Sequence, residues 1–140
     1  MKHPGPISGR RVASKKPKKR QKENYRTQAD RRFSIAVRGI GFCENCGSVE
    51  FLQCAHIVSR SYSATRVDFL NAVCLCRGCH VFFTHRPLEW WDWARRRIGE
   101  EAFDELRRLA VGGAKIDWKA EAERLKTDLP GYRPSPVSPR

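Results

Sequence analysis

Four cysteines in two pairs, Cys43-x2-Cys46 and Cys76-x2-Cys79, are the residues of this sequence best suited to chemistry. A C-x2-C turn brings two thiolates to one point, and two such turns supply the four tetrahedral sulfur ligands that structural zinc prefers. Residues 47–75 separate the pairs. That is longer than the ~15–20 residues of a simple zinc ribbon, so something is inserted between the two turns. The insertion and its far edge hold three polar residues of catalytic type, His56, Asn71 and His80. An imidazole titrates near neutral pH and serves as a base or a metal ligand. A carboxamide offers both donors and acceptors, so it can tie down a loop. Cys54 and Cys74 are left over. They are expected as buried free thiols, because cysteine packs as a small hydrophobe.

The elements around these residues follow from periodicity and punctuation. Thr27 to Ile40 reads as a short helix with Phe33, Ala36 and Val37 on one face and Gly39 and Gly41 near its end. Phe51 to Ile57 reads as a strand, with Leu52, Cys54 and His56 on one face and Phe51, Gln53, Ala55 and Ile57 on the other. A polar, arginine-containing loop follows to about Asn71, and Ala72 to Leu75 is a second short strand. Arg77 to about His85 suits a helix stopped by Pro87, which disfavours helical geometry in the residue before it. Pro87 then opens a helix through Ile98. Glu101 to Ala110 is another, and Asp117 can cap a last one through Leu125. His56 thus ends the first strand, Asn71 begins the second, and His80 follows the second cysteine pair on a helix. That order brings the end of the first strand beside the start of the helix.

Charge divides the chain. Of 140 residues, 28 are Lys or Arg and 15 are Asp or Glu, a net of +13. Residues 1–32 hold twelve of the basic residues against two acids, a net of +10. A balance of this sign favours a polyanionic partner, most simply nucleic acid. Residues 1–26 are almost devoid of apolar side chains and are expected to be a disordered basic arm. Its run Lys15-Lys16-Pro17-Lys18-Lys19-Arg20 matches nucleic-acid phosphate; a solubilising tail is the plainer reading. One domain is expected over 27–128 and a disordered tail over 129–140. The longest apolar run, Ala72 to Cys76, is far short of the ~18 residues of a membrane helix, so no membrane partner is expected. No apolar stretch follows the basic N-terminus, so no signal peptide is expected. Six cysteines in that setting point to a reducing, cytoplasmic compartment, where paired cysteines bind metal rather than each other.

On these residues the stretch Cys43–Pro87 resembles the HNH endonuclease family, the ββα-metal nucleases, and most of all its small phage-type members. The motif is carried by Cys54-Ala55-His56-Ile57, Asn71-Ala72-Val73-Cys74-Leu75-Cys76 and Arg77-Gly78-Cys79-His80, combined with the two cysteine knuckles. The resemblance covers about a third of the chain. It implies an α+β fold, a small ββα-metal core over 43–86 built on a four-cysteine Zn2+ site and followed by helices. It implies hydrolysis of DNA phosphodiester bonds, leaving a 5′ phosphate and a 3′ hydroxyl, with no small-molecule substrate. His56 matches the general base, Asn71 the residue that holds the loop and helps to orient that base, and His80 a ligand of one catalytic divalent ion, Mg2+, Mn2+, Ni2+ or Zn2+. A bacterial or phage-infected cell is the implied setting, and a phage terminase or other DNA-processing protein the implied partner.

Two positions depart from the family pattern. Ala55 stands where many members carry a metal-binding Asp or His, and Thr84 stands where many carry a further ligand. His85 is one residue on, roughly 140° around an ideal helix from His80. It is expected either as the second ligand of the catalytic ion or as a solvated helix-end histidine. Arg60 and Arg66, in the loop between His56 and Asn71, are expected at phosphate. Trp90, Trp91 and Trp93 are read as core or as base-stacking surface, and Arg95, Arg96 and Arg97 as phosphate contacts or a solvated face. The reading from a different class is a zinc-stabilised nucleic-acid-binding protein without catalysis; an accessory factor of a terminase-like complex is a third.

Overall fold

Strand β2, Ala72–Cys76, is buried from Ala72 to Leu75 because helices cover both of its faces. It pairs antiparallel with β1, Leu52–His56, in a register that sets Cys54 opposite Cys74 and His56 opposite Ala72. The computed structural model describes residues 24–127. The run Lys15, Lys16, Lys18, Lys19 and Arg20 and the expected tail over 129–140 lie outside the described residues.

Helix α1, Tyr25–Arg38, precedes the sheet. It starts two residues before the expected Thr27 because Asn24 Oδ1 accepts the Thr27 N–H at 2.9 Å and caps it. Tyr25 and Arg26 are therefore helical rather than part of a disordered arm. After β2 come α2 (Arg77–Thr84), α3 (Pro87–Ile98), α4 (Glu100–Gly112) and α5 (Trp118–Thr127). Pro87 stands at the start of α3, where its missing N–H has no intrahelical partner to lose. Gly99 joins α3 to α4 at φ +89°, a conformation costly for any residue with a side chain. Asp117 caps α5 as expected, its Oδ1 accepting from the Lys119 and Ala120 N–H groups. Among the described residues this is an α+β arrangement, a two-stranded sheet with one α-helix before it and four after.

Strand alternation sends side chains into two separate cores. Ala55, Val73 and Leu75 face Phe83, Ala94, Phe103, Leu106 and Ala110 from α2, α3 and α4. Ala72 and Cys74, with Leu52 and Cys54, face Ala29, Phe33 and Val37 of α1 and Ala122 and Leu125 of α5. Cys54 and Cys74 are free thiols, as expected, and burial pushes each up to about 12. Both side chains pack in the core on the α1 side of the sheet.

Two ion pairs tie the cores to the loops. Arg97 of α3 is buried and bonds to the buried carboxylate of Glu44, which lies between Cys43 and Cys46. The other oxygen of Glu44 accepts the Cys74 N–H at 2.6 Å, and the Glu44 N–H donates to the Cys74 carbonyl at 2.8 Å. Arg66 forks onto Asp30 of α1 through Nε and Nη2, each at 2.7 Å. No helix among the described residues is long and apolar enough to cross a membrane.

Candidate functional site

The first cysteine pair sits on a tight turn closed by the Gly47 N–H donating to the Cys43 carbonyl at 2.8 Å. Gly47 has φ +77°, which lets the chain reverse directly after Cys46. The second pair straddles the start of α2, where Cys76 Sγ accepts the Cys79 N–H at 3.4 Å and caps the helix. The sulfurs of Cys43, Cys46, Cys76 and Cys79 all lie within 4.8 Å of one another, and those of Cys46 and Cys76 are 3.7 Å apart. Two thiolates on one tetrahedral zinc, each at ~2.3 Å, would be about 3.8 Å apart. The donor set and its spacing fit a zinc ion. The electrostatics of the cluster is uneven. Burial raises the Cys43 thiol, but backbone N–H groups of Cys76, Cys46 and Asn45 outweigh it and bring the group down to about 7. Burial, and after it the crowding by Cys46, Cys76 and Cys43, pushes Cys79 up to about 12, although Asn45 Nδ2 donates to its sulfur at 3.2 Å.

Asn71 is fully buried between the loop and β2. Its Oδ1 accepts the Val58 N–H at 2.7 Å, and its Nδ2 donates to the Val58 carbonyl at 3.0 Å and the Thr65 carbonyl at 2.9 Å. The side chain thus pins both ends of the loop that follows β1. At the end of β1, His56 Nε2 lies 2.8 Å from the Arg66 carbonyl. A carbonyl only accepts, so Nε2 carries the proton and Nδ1 is left with a bare lone pair. Burial depresses the His56 pKa below its ordinary 6.5; the nearby Arg60 and Arg66 charges add to that, and the Arg66 carbonyl opposes it. The shift favours the neutral imidazole, the form a general base requires.

His80, on α2, lies with Nδ1 2.7 Å from Oε1 of Gln53 on β1. Burial lowers its pKa as well. His56 and His80, from different elements, line one cavity of about 110 Å3 with Thr84, Phe83 and Trp90. Thr84 lines the cavity and its hydroxyl donates to the His80 carbonyl at 2.7 Å. His85 is the exposed residue that ends α2, one position beyond that lining.

The other expected residues fall as follows. Arg60 is exposed, with its charge felt at His56. Arg66 bonds to Asp30 and, through Nη1, to the Arg60 carbonyl at 2.6 Å. Its guanidinium braces the loop against α1. Trp90 and Trp93 stack on each other and tilt against Phe83, and Trp90 Nε1 donates to the Ile57 carbonyl; both are packed on the core. Trp91 is more exposed, edge-on to Phe103. Arg97 is neither a solvated residue nor a phosphate contact but the buried partner of Glu44.

Two residues with a part in this site went unnoticed in the sequence, Gln53 and Glu44. Gln53 had a signal. It is the one polar member of the Gln53, Ala55, Ile57 face of β1, and a polar group on an apolar face needs a partner. Glu44 had none, because acids in exposed cysteine turns are ordinary. Compared with protein-family models, with curated proteins and with solved structures, the chain matches none.

Proposed function

We propose that the protein is a zinc-stabilised nucleic-acid-binding module in which His56, Asn71 and His80 form a site for hydrolysing DNA phosphodiester bonds, in the manner of the HNH endonucleases it resembles. The observation that supports this reading is the shared cavity. His56 and His80 both line it, and each has one ring nitrogen held by an oxygen acceptor. That leaves His56 Nδ1 to take a proton and His80 Nε2 to act as a ligand.

In this reading the Arg66 carbonyl holds His56 so that Nδ1 accepts the proton of the water that attacks phosphorus. Asn71 fixes the loop that carries that carbonyl. Arg60, exposed and close enough for His56 to feel its charge, contacts the scissile or a neighbouring phosphate. His80 Nε2, with a lone imidazole's worth of affinity, fits a divalent ion that takes the rest of its shell from phosphate and water. When bound, such an ion supplies charge stabilisation at the phosphate and at the leaving oxygen. The run Lys15, Lys16, Lys18, Lys19 and Arg20 adds sequence-independent backbone contacts.

A second reading, binding without catalysis, is favoured by two positions. Ala55 offers no ligand atom, and the Thr84 hydroxyl donates to the His80 carbonyl. Supercoiled plasmid incubated with the zinc-loaded chain and Mg2+, Mn2+ or Ni2+, against an EDTA control, separates the two. Nicked or linear product that His56→Ala abolishes, with zinc content and DNA affinity retained, supports hydrolysis; loss of a general base costs ~10²–10⁴ in rate. Intact plasmid under every ion, together with retained binding, selects the binding module.

A further inference from the structure

We infer that Gln53 is a positioning residue that holds His80 in the tautomer whose Nε2 is bare. The inference rests on the reading of His80 as a ligand and extends it to a residue on the neighbouring strand. The face of the sheet that carries Gln53 is otherwise apolar. It holds Ala55 and Ile57 from the same strand and its end, and Val73 and Leu75 from β2, all buried against α2, α3 and α4. A half-buried carboxamide on such a face is unfavourable unless it is hydrogen-bonded. Its bond is the 2.7 Å contact from His80 Nδ1 to Oε1.

The consequence for His80 is chemical. An amide oxygen only accepts, so the contact places the imidazole proton on Nδ1. A neutral imidazole carries one such proton, and Nε2 is left as the lone-pair nitrogen. The same bond fixes the ring plane, because Gln53 is anchored on a strand whose register to β2 is set opposite Leu75, while His80 is anchored on α2 just beyond Cys79. Outer partners of this kind typically change metal affinity 10–100-fold when removed. The family-like motif residues alone would leave His80 free to choose its tautomer; Gln53 removes the choice.

The test uses the full zinc-loaded chain as wild type, Gln53→Leu and Gln53→Glu. Long-range ¹⁵N–¹H correlation on histidine-labelled protein reads the His80 tautomer directly, without any activity. Titration with Ni2+ by calorimetry reads the second ion. The expected result is His80 protonated on Nδ1 in the wild type, a shift toward the Nε2-protonated form in Gln53→Leu, and Ni2+ binding weakened about 10–100-fold. Gln53→Glu keeps an acceptor at the same reach and is expected to keep the wild-type tautomer and affinity. Should Gln53→Leu lose its zinc or its fold, Gln53→Asn, one methylene too short to reach Nδ1, takes its place. A wild-type His80 protonated on Nε2, or an unchanged tautomer and unchanged Ni2+ affinity in the acceptor-free variant, overturns the inference while leaving the ligand reading standing. A wild-type chain that takes up no Ni2+ beyond the structural site overturns the ligand reading instead, and the tautomer comparison still decides whether Gln53 positions the ring.

Discussion

Asn71 and His56 grip consecutive carbonyls of one loop. Asn71 Nδ2 donates to the Thr65 carbonyl at 2.9 Å, and His56 Nε2 donates to the Arg66 carbonyl at 2.8 Å. The amide therefore holds the peptide group next to the one that orients the imidazole. Replacing Asn71 with Ala strands the Val58 N–H and two carbonyls in a buried place. An unsatisfied buried group costs about 1–3 kcal/mol, so Asn71→Ala is expected to lose about 3 kcal/mol in urea denaturation of the zinc-loaded protein. The His56 Nε2 proton should lose its protection from exchange as well. A variant as stable as wild type would mean that the clamp does not hold the loop.

Glu44 and Arg97 are expected to behave as a unit. Arg97→Met leaves a buried carboxylate beside the first cysteine turn, which should cost about 3–5 kcal/mol. Glu44→Gln combined with Arg97→Met removes both charges and keeps an oxygen for the Cys74 N–H. The double variant should recover most of that loss. A denaturation series of wild type, both singles and the double would show it; additive losses would contradict the pairing.

Removal of zinc should unfold the domain. Cys76 is both a member of the sulfur cluster and the cap of α2, so the metal and the helix share one residue. Metal analysis should find one zinc per chain held by Cys43, Cys46, Cys76 and Cys79. Chelation, or Cys76→Ser, should abolish the near-ultraviolet circular dichroism of the tryptophans, because metal-binding energy in such modules is largely folding energy. A chain that retains this signal with no bound zinc would refute the structural role.

The pH dependence follows from the two histidines. Burial depresses both below the ordinary 6.5, chiefly for lack of solvation of the charged ring. Above about pH 6.5 the rings are neutral in the folded and unfolded chains alike, and the full stability is present. As pH falls below 6.5 the unfolded chain takes up protons that the folded one resists, so stability declines through the depressed folded values. The denaturation midpoint should drop on acidification from that point, and His56→Gln should flatten the slope. Arg60→Gln should raise the His56 titration midpoint, read by NMR, because the Arg60 charge helps to hold it down. A His56 midpoint at or above 6.5 in the wild type would contradict the burial argument.

Phe51 is expected to be replaceable at a gain. It has φ +51° and is 77% exposed, so its backbone is strained and its ring buries little. Phe51→Gly should stabilise the zinc-loaded protein by about 1 kcal/mol, the cost of the left-handed conformation for a residue with Cβ. Phe51→Ala removes the ring and leaves the strain, and should change little. If both variants destabilise equally, the ring does more packing than its exposure indicates.

Much of this architecture was legible in the chain because it rests on local rules. The C-x2-C spacing alone set the two turns of the sulfur cluster. The β2 run Ala72–Leu75, the stop at Pro87 and the cap at Asp117 follow from periodicity and backbone chemistry, and the elements fall within two residues of those expectations. What the tertiary structure decided were the partners of polar groups, which lie far apart in sequence. Nothing local links Arg97 to Glu44 across 53 positions, or His80 to Gln53 across 27. Only the packing of α1 brings Asp30 to Arg66, 36 positions along the chain. Hydrophobic burial is encoded by the period of the side chains along each element, whereas a buried donor finds its acceptor only once those elements have docked and excluded water.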